Sequence, residues 1–89
     1  MIEKTLPITN KLGLHARAAA KLSHLANTFN SEIFLIYHGE KVNAKSLLGI
    51  LTLAAAVGNE IAIQADGEDE GDAINALTNL FSNKFDEET

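Results

Sequence analysis

The segment EIFLIYHGEKVN at residues 32–43 decides the fold of this 89-residue chain. Its first half, residues 32–37, is rich in β-branched and aromatic side chains, which favour a β-strand. His38-Gly39 resembles a two-residue hairpin turn, and residues 41–43 then form a short return strand. The chain is therefore predicted to build its sheet mostly from antiparallel strands.

Two more strands are predicted on either side of this hairpin. Residues 2–8 and residues 60–65 alternate apolar and polar side chains, as half-buried strands do. Pro7 has no backbone N–H to donate, so the first strand is expected to lie at an edge of the sheet.

Three helices are predicted between and after the strands. Residues 15–28 carry apolar side chains at helical spacing. The apolar run 47–57 follows Ser46, a typical N-cap residue, and Gly58 is its stop signal. Asp69, together with Asp72, is expected to start the last helix through a weak variant of a capping box. The buried stripe of that helix is predicted to comprise Ala73, Ile74, Leu77, Leu80, Phe81 and Phe85.

The predicted element order is β-α-β-β-α-β-α, which is an α+β arrangement. Strands with one polar face and helices with one apolar stripe call for two layers, with the helices packed on one face of a four-stranded sheet. Residues 1–89 are expected to form a single domain.

Composition excludes several functional classes. The chain has no Cys, and therefore no disulfide, thiolate metal ligand or Cys nucleophile. No His and carboxylate pair has the spacing of metal ligands, so we expect neither a metal nor a cofactor. A net charge of −5 and only five aromatic residues argue against nucleic acid as a partner. No signal peptide and no run of about 18 apolar residues are visible, which predicts a soluble cytoplasmic protein without membrane insertion.

The charge is unevenly distributed along the chain. Residues 66–89 hold eight acids against Lys84, whereas no acid lies between Glu3 and Glu32. The basic and His residues of that acid-free stretch are Lys4, Lys11, His15, Arg17, Lys21 and His24. The stretch is either an ordinary solvated surface or a basic face for an acidic partner or an anion.

One segment is unusual for a purely structural role, namely GLHARAAAKL at residues 13–22. The first helix begins there without Ser, Thr, Asp or Asn directly ahead, so its first backbone N–H groups are expected to lack an ordinary side-chain cap. Such groups attract an anion, and the Arg17 guanidinium matches the geometry of a phosphate. The helix dipole also favours a neutral His15 imidazole, a nucleophile able to attack a phosphoryl group. The alternative is that His15 is merely a polar surface residue where a helix begins.

The other two histidines are less informative. His38 is predicted to be a turn residue. His24 shares a helix face with Arg17 and Lys21, and it is either solvated or part of a stripe that docks a partner.

The apolar run that follows Ser46 is too dense for one helix face. It contains Leu47, Leu48, Ile50, Leu51 and Leu53, which cannot all point inward from a short amphipathic helix. Either some of these side chains are exposed as a docking surface, or the helix is buried all round as plain core.

Two motifs resemble the signatures of one protein family. GLHAR at residues 13–17 resembles the phosphorylation-site signature of HPr, the histidine-containing phosphocarrier of the bacterial sugar phosphotransferase system. VNAKSLLG at residues 42–49 resembles the regulatory-serine signature of the same family. Length and element order match as well, so the resemblance covers essentially the whole chain.

The resemblance implies a phosphoryl carrier, transiently phosphorylated on His, and not a stand-alone catalyst. His15 would accept a phosphoryl group on Nδ1 from phosphorylated enzyme I, which draws on phosphoenolpyruvate, and would pass it to a histidine of an IIA-type protein. Arg17 would support the phosphoryl group. Ser46 would be a candidate for phosphorylation by an ATP-dependent HPr kinase/phosphorylase. The family fold is an open-faced β-sandwich with sheet order 1-4-2-3.

The same partners are expected to share one docking face on a monomeric carrier. It would consist of His15, Arg17, Lys21 and His24 from the first helix, with Leu47, Leu48 and Leu51 beside them. A carrier must release each partner quickly, so the interface is expected to be small.

The sequence also departs from the family pattern. Ala18 stands where many members have Pro, which should loosen the first helical turn slightly without removing a reacting group. ITNKLG at residues 8–13 and FDEE at 85–88 resemble the nitrogen-branch relative of HPr, called NPr, whereas the Ser46 segment resembles HPr itself. A regulatory module of the nitrogen branch that acts by protein–protein contact alone is therefore the alternative function.

Overall fold

The computed structural model describes residues 1–86, and it contains one four-stranded antiparallel sheet. The strands are β1 (Ile2–Pro7), β2 (Glu32–Tyr37), β3 (Glu40–Asn43) and β4 (Glu60–Asp66), in the order β1-β4-β2-β3. This confirms the predicted sheet and its order. Pro7, at the end of an edge strand opposite Glu60, lies where its missing N–H is tolerated.

Three α-helices cover one face of the sheet: α1 (Ala16–Ala26), α2 (Leu47–Thr52) and α3 (Glu70–Ser82). A short 3₁₀ helix, Lys84–Asp86, follows α3. No helix within residues 1–86 is long and apolar enough to cross a membrane. The two-layer, open-faced α+β architecture is therefore confirmed.

The second helix is much shorter than predicted, because it ends at Thr52 and not at residue 57. Leu53 closes it by donating its N–H to Ile50, and Ala54 then adopts a left-handed conformation with φ of 50°. The next residue, Ala55, is buried, and its carbonyl accepts the N–H of Leu14 at 3.0 Å. A continued helix would withdraw that carbonyl, so a contact distant in sequence ends the helix early.

The prediction that Asp69 caps α3 with its side chain is wrong. Asp69 is the N-cap residue, but its carboxylate makes no cap bond and instead accepts N–H groups of Asn30 at 2.8 Å and Ser31 at 2.9 Å. It also accepts the hydroxyl of Ser31, and this bond is the main reason why the pKa of Asp69 lies below its usual range. The carboxylate thus fastens the loop after α1 to the start of α3.

The core lies between the sheet and the three helices. Its strand residues follow the predicted alternation, with Leu6, Ile61, Ile63 and Ala65 among the buried side chains. The last helix buries its predicted stripe, except that Leu80 is only partly buried. Phe85 is buried as predicted, but it lies beyond α3 in the 3₁₀ turn, where it packs on Phe81. Of the predicted acidic ending, Glu87 and Glu88 lie outside the described residues.

Candidate functional site

The first helix is capped by His15 itself, so the expectation of an uncapped start is wrong. His15 is the N-cap residue, in extended backbone conformation, and its Nδ1 accepts the backbone N–H of Arg17 at 3.3 Å. A ring nitrogen that accepts a hydrogen bond carries no proton. Nδ1 therefore carries its lone pair directly at the amino end of α1, where that pair accepts the Arg17 N–H.

The surroundings of Nδ1 favour negative charge. The first turn of α1 carries no acidic side chain, and Arg17 is exposed two residues from His15. The backbone N–H groups at the start of a helix form its positive pole, which attracts phosphate oxygens. An anion bound at Nδ1 would therefore lie close to the Arg17 N–H and within the positive field of the helix. Because the Arg17 side chain is exposed, its guanidinium can move to contact that anion.

The loop ahead of His15 is fastened at several points. Gly13 adopts a left-handed conformation with φ of 66°, and a Cβ there would lie 2.5 Å from the carbonyl oxygen of Ala55. The side-chain amide of buried Asn10 donates to the Gly13 carbonyl at 2.6 Å, and the Gly13 N–H donates back to the Asn10 carbonyl at 3.1 Å. Leu14 is buried and is bonded through its N–H to Ala55. His15 thus starts the helix from a fixed position.

A shallow, open depression of about 290 Å³ lies beside His15. Its lining residues are Lys11, Leu12, Leu14, His15, Ala54, Ala55, Ala56 and Val57. Leu12 and Val57 are large apolar side chains that remain exposed there. No group of His, Cys, Asp and Glu within residues 1–86 has the arrangement of a metal site.

Ser46 caps α2 as predicted. Its hydroxyl oxygen accepts the N–H of Gly49 at 3.1 Å, and the residue is exposed. The preceding carbonyl, of Lys45, accepts the Ser23 hydroxyl and the Asn27 side-chain amide, both at 3.0 Å. These bonds tie the start of α2 to α1, and Lys45 is a structural residue that the sequence analysis did not single out.

The apolar residues of the α2 segment are partly core and partly exposed, so each of the two alternatives left open by the sequence holds for some of them. Ile50 and Leu53 are buried, whereas Leu47 and Leu48 expose 40% and 75% of their surfaces. Leu51 is partly buried against the core. The start of α2, where the exposed leucines lie, is joined to the last turn of α1 through the bonds of Ser23 and Asn27 to the Lys45 carbonyl.

The basic side chains of α1 have unequal roles. Lys21 donates through Nζ to the Phe85 carbonyl at 2.8 Å and lies 4.0 Å from the Asp86 carboxylate. It therefore anchors the C-terminal turn, a contact that the sequence analysis missed because it joins residues 64 positions apart. His24 is exposed one turn after Ala20 on the outer side of α1. His38 is a turn residue as predicted, stacked on Tyr37.

Comparison with known proteins gives concordant matches. A family model described as "PTS HPr component phosphorylation site" matches residues 2–83. The chain is 51% identical over 89 residues to phosphocarrier protein HPr of Xylella fastidiosa, with 100% of both chains covered. It is 43% identical over 86 residues to phosphocarrier protein NPr of Shewanella violacea, covering 97% of this chain and 94% of that protein. The crystal structure of HPr-C-His from Thermoanaerobacter tengcongensis matches with a TM-score of 0.96 and 46% identity, covering 100% of each chain.

Proposed function

Because the chain belongs to the HPr family of phosphocarriers of the phosphotransferase system, we propose that Nδ1 of His15 is its phosphoryl acceptor. The donor is phosphorylated enzyme I, charged by phosphoenolpyruvate, and the recipient is a histidine of an IIA-type protein. The observation that supports this most directly is the Nδ1 lone pair at the amino end of α1, next to the Arg17 N–H.

The proposed transfer needs no cofactor and no net proton. The Nδ1 lone pair attacks phosphorus on the donor's phosphohistidine, a new N–P bond forms, and the donor's N–P bond breaks with its electron pair returning to the donor imidazole. The backbone N–H groups of α1 and the guanidinium of Arg17 stabilise the oxygens of the group in flight. In transfer to the IIA-type protein, phosphorylated His15 is the donor and the partner's histidine is the acceptor. The chain is therefore a carrier and not a stand-alone catalyst.

Partners are proposed to dock on the surface around His15. Arg17 and His24 supply its exposed polar groups, and Leu47, Leu48 and Leu51 supply its apolar part. Lys21 contributes mainly by holding the C-terminal turn against α1. A transient interface of this kind buries on the order of 1,200 Å² or less. Basic residues at its rim raise the association rate with acidic partners in a salt-dependent way.

Ser46 is proposed as a regulatory phosphorylation site for an HPr kinase/phosphorylase. The residue is exposed, so a kinase can reach it. Its position beside Leu47 and Leu48 puts a new charge directly on the proposed docking surface, which would weaken partner binding without altering the fold.

Incubation with phosphoenolpyruvate and enzyme I tests the acceptor. We expect one acid-labile, base-stable phosphoryl group, absent in His15→Ala and retained in His24→Ala and His38→Ala. Uptake of phosphate by folded His15→Ala would contradict the assignment. Sedimentation of the same preparations checks the proposed monomer.

The second candidate is a regulatory module of the nitrogen-type branch. The match to a phosphocarrier protein NPr supports the branch, together with the opening ITNKLG at residues 8–13, and action by protein–protein contact alone is what the experiment tests. In that case the docking surface would bind its regulatory partner equally well with His15→Ala as with the wild type, whereas a phosphocarrier would lose its output. Both candidates place the chain in the cytoplasm, where these partners act.

A further inference from the structure

We propose that Asn10 is a positioning residue for phosphoryl transfer, a role that rests on the function proposed for His15. Asn10 does not touch the reacting atoms. It acts through the backbone of Gly13 and Leu14, which leads directly into the His15 cap.

The contacts of Asn10 close the loop on itself. Its side-chain Nδ2 donates to the Gly13 carbonyl at 2.6 Å, while the Gly13 N–H donates to the Asn10 carbonyl at 3.1 Å. Two bonds in opposite directions across four residues leave the turn little freedom. Asn10 is also fully buried, so neither partner protein can reach it.

The turn at residues 10–13 is also hydrogen-bonded, through the next residue, to the segment that follows α2. Leu14 donates its N–H to Ala55 at 3.0 Å, and a Cβ on Gly13 would overlap that same carbonyl. Further along, Ile8 and Gly58 are joined by a backbone bond of 3.0 Å. His15 therefore follows two residues whose backbone is held on both sides.

The chemistry needs this rigidity because the single lone pair of Nδ1, which accepts the Arg17 N–H at rest, must turn to an incoming phosphorus while that N–H stays close enough to donate to a phosphoryl oxygen. The 3.3 Å bond to that N–H fixes where Nδ1 lies relative to the amino end of α1, and a shift of the His15 backbone would change that placement. A misplacement of about 1 Å at a reacting group can lower a rate by roughly 100-fold. Asn10→Ala removes the side-chain bond to the Gly13 carbonyl and keeps the backbone groups that form the other bonds of the turn.

The test compares Asn10→Ala with Ser31→Ala. Ser31 is also a buried polar residue, but it lies beyond the opposite end of α1, about 16 Å along an 11-residue helix. Both changes are expected to lower stability, so rates are measured at a temperature where circular dichroism shows each variant folded. Asn10→Ser, which keeps a short hydroxyl donor, serves both as a rescue variant and as a safeguard should Asn10→Ala not fold.

We expect Asn10→Ala to lower kcat for phosphorylation by enzyme I about 10- to 100-fold, with KM for enzyme I unchanged within about twofold because Asn10 lies outside any docking surface. Asn10→Ser should recover part of the rate, and Ser31→Ala should keep the wild-type kcat. A wild-type kcat in folded Asn10→Ala would overturn the proposal, and so would an equal loss of kcat in Ser31→Ala, since that would reflect general destabilisation.

A second readout separates this proposal from the proposed function. The amide proton of Arg17 reports its bond to Nδ1, and we expect its chemical shift and exchange rate to change in Asn10→Ala but not in Ser31→Ala. If wild-type protein takes no phosphate from enzyme I, the proposed function fails. The positioning of His15 by Asn10 is then decided by the Arg17 amide alone, and an unchanged signal overturns it.

Discussion

Replacing Ser46 separates its structural role from its proposed regulatory role. Ser46→Ala removes one hydrogen bond, from the Gly49 N–H to the hydroxyl oxygen at 3.1 Å, at an exposed position. Loss of an N-cap side chain costs about 1 kcal/mol. For a domain of this size, that corresponds to a fall in Tm of roughly 4–8 °C.

Ser46→Asp is expected to behave in the opposite way. Aspartate is as good an N-cap as serine, and its charge is stabilised by the amino end of the helix by roughly 0.3–1 kcal/mol. The Tm should therefore stay unchanged or rise slightly. Because residue 46 is exposed, the carboxylate has room without displacing core residues.

The functional effect of Ser46→Asp should fall on docking. A negative charge beside Leu47 and Leu48 must be desolvated by a partner surface that meets exposed leucines. Each 1.4 kcal/mol of lost association energy raises Kd tenfold. We expect KM for enzyme I to rise roughly tenfold or more, and authentic phosphoserine, with a charge near −2, to act more strongly.

Thermal unfolding followed by circular dichroism and steady-state phosphorylation by enzyme I measure the two effects on the same samples. Ser46→Ala is the matched control, since it should lower Tm and leave KM unchanged. Normal kinetics in Ser46→Asp and in the phosphoserine form would leave Ser46 as a helix cap alone. A lower Tm in Ser46→Asp would refute the capping argument itself.

Three further predictions concern other sites. Arg17→Ala should slow phosphorylation roughly 10²- to 10³-fold, which corresponds to about 2–4 kcal/mol of lost transition-state stabilisation. The Tm should not change, because an exposed cation that acts on the transferring group contributes little to folding. An unchanged rate would remove Arg17 from the mechanism. Leu48→Ser should raise KM for enzyme I without lowering Tm, since the side chain is 75% exposed, and nuclear magnetic resonance mapping that centres on α3 instead would refute the docking surface. Asp69→Asn should lower Tm at pH 7 and flatten its acid dependence. The hydrogen bond from the Ser31 hydroxyl is the main reason why the pKa of Asp69 is lowered. The carboxylate therefore stabilises the fold above the pKa of an unfolded aspartate, about 4, and this contribution is lost as the pH falls through the lower native pKa. An identical acid transition in Asp69→Asn and wild type would contradict this.

Local patterns were sufficient for much of the fold. The alternation in β1 and β4, the hairpin turn at His38 and the cap at Ser46 each depend on a few neighbouring residues, and each lies where the sequence predicts. Pro7 indicated an edge strand because a missing N–H has the same consequence in any sheet. The two motifs around His15 and Ser46 identified the family through their residues alone.

Contacts between distant segments decided the rest. The bond from Leu14 to Ala55 ends α2 at Thr52, although residues 53–57 are apolar and helix-compatible by composition. The carboxylate of Asp69 binds the backbone 38 residues away in preference to its own helix. Lys21 is anchored by a carbonyl 64 residues later, which no helical periodicity of α1 could indicate.

The site itself shows the same division. The sequence by itself determined which groups are available, a histidine at the start of a helix with an arginine two positions on, because residue type and spacing fix that chemistry. Only the tertiary structure decided that His15 turns Nδ1 onto its own helix and that buried Asn10 holds the loop ahead of it. The physical reason is that a ring orientation is set by the backbone leading into it, and that backbone is fixed by packing and hydrogen bonds to a segment about 40 residues away.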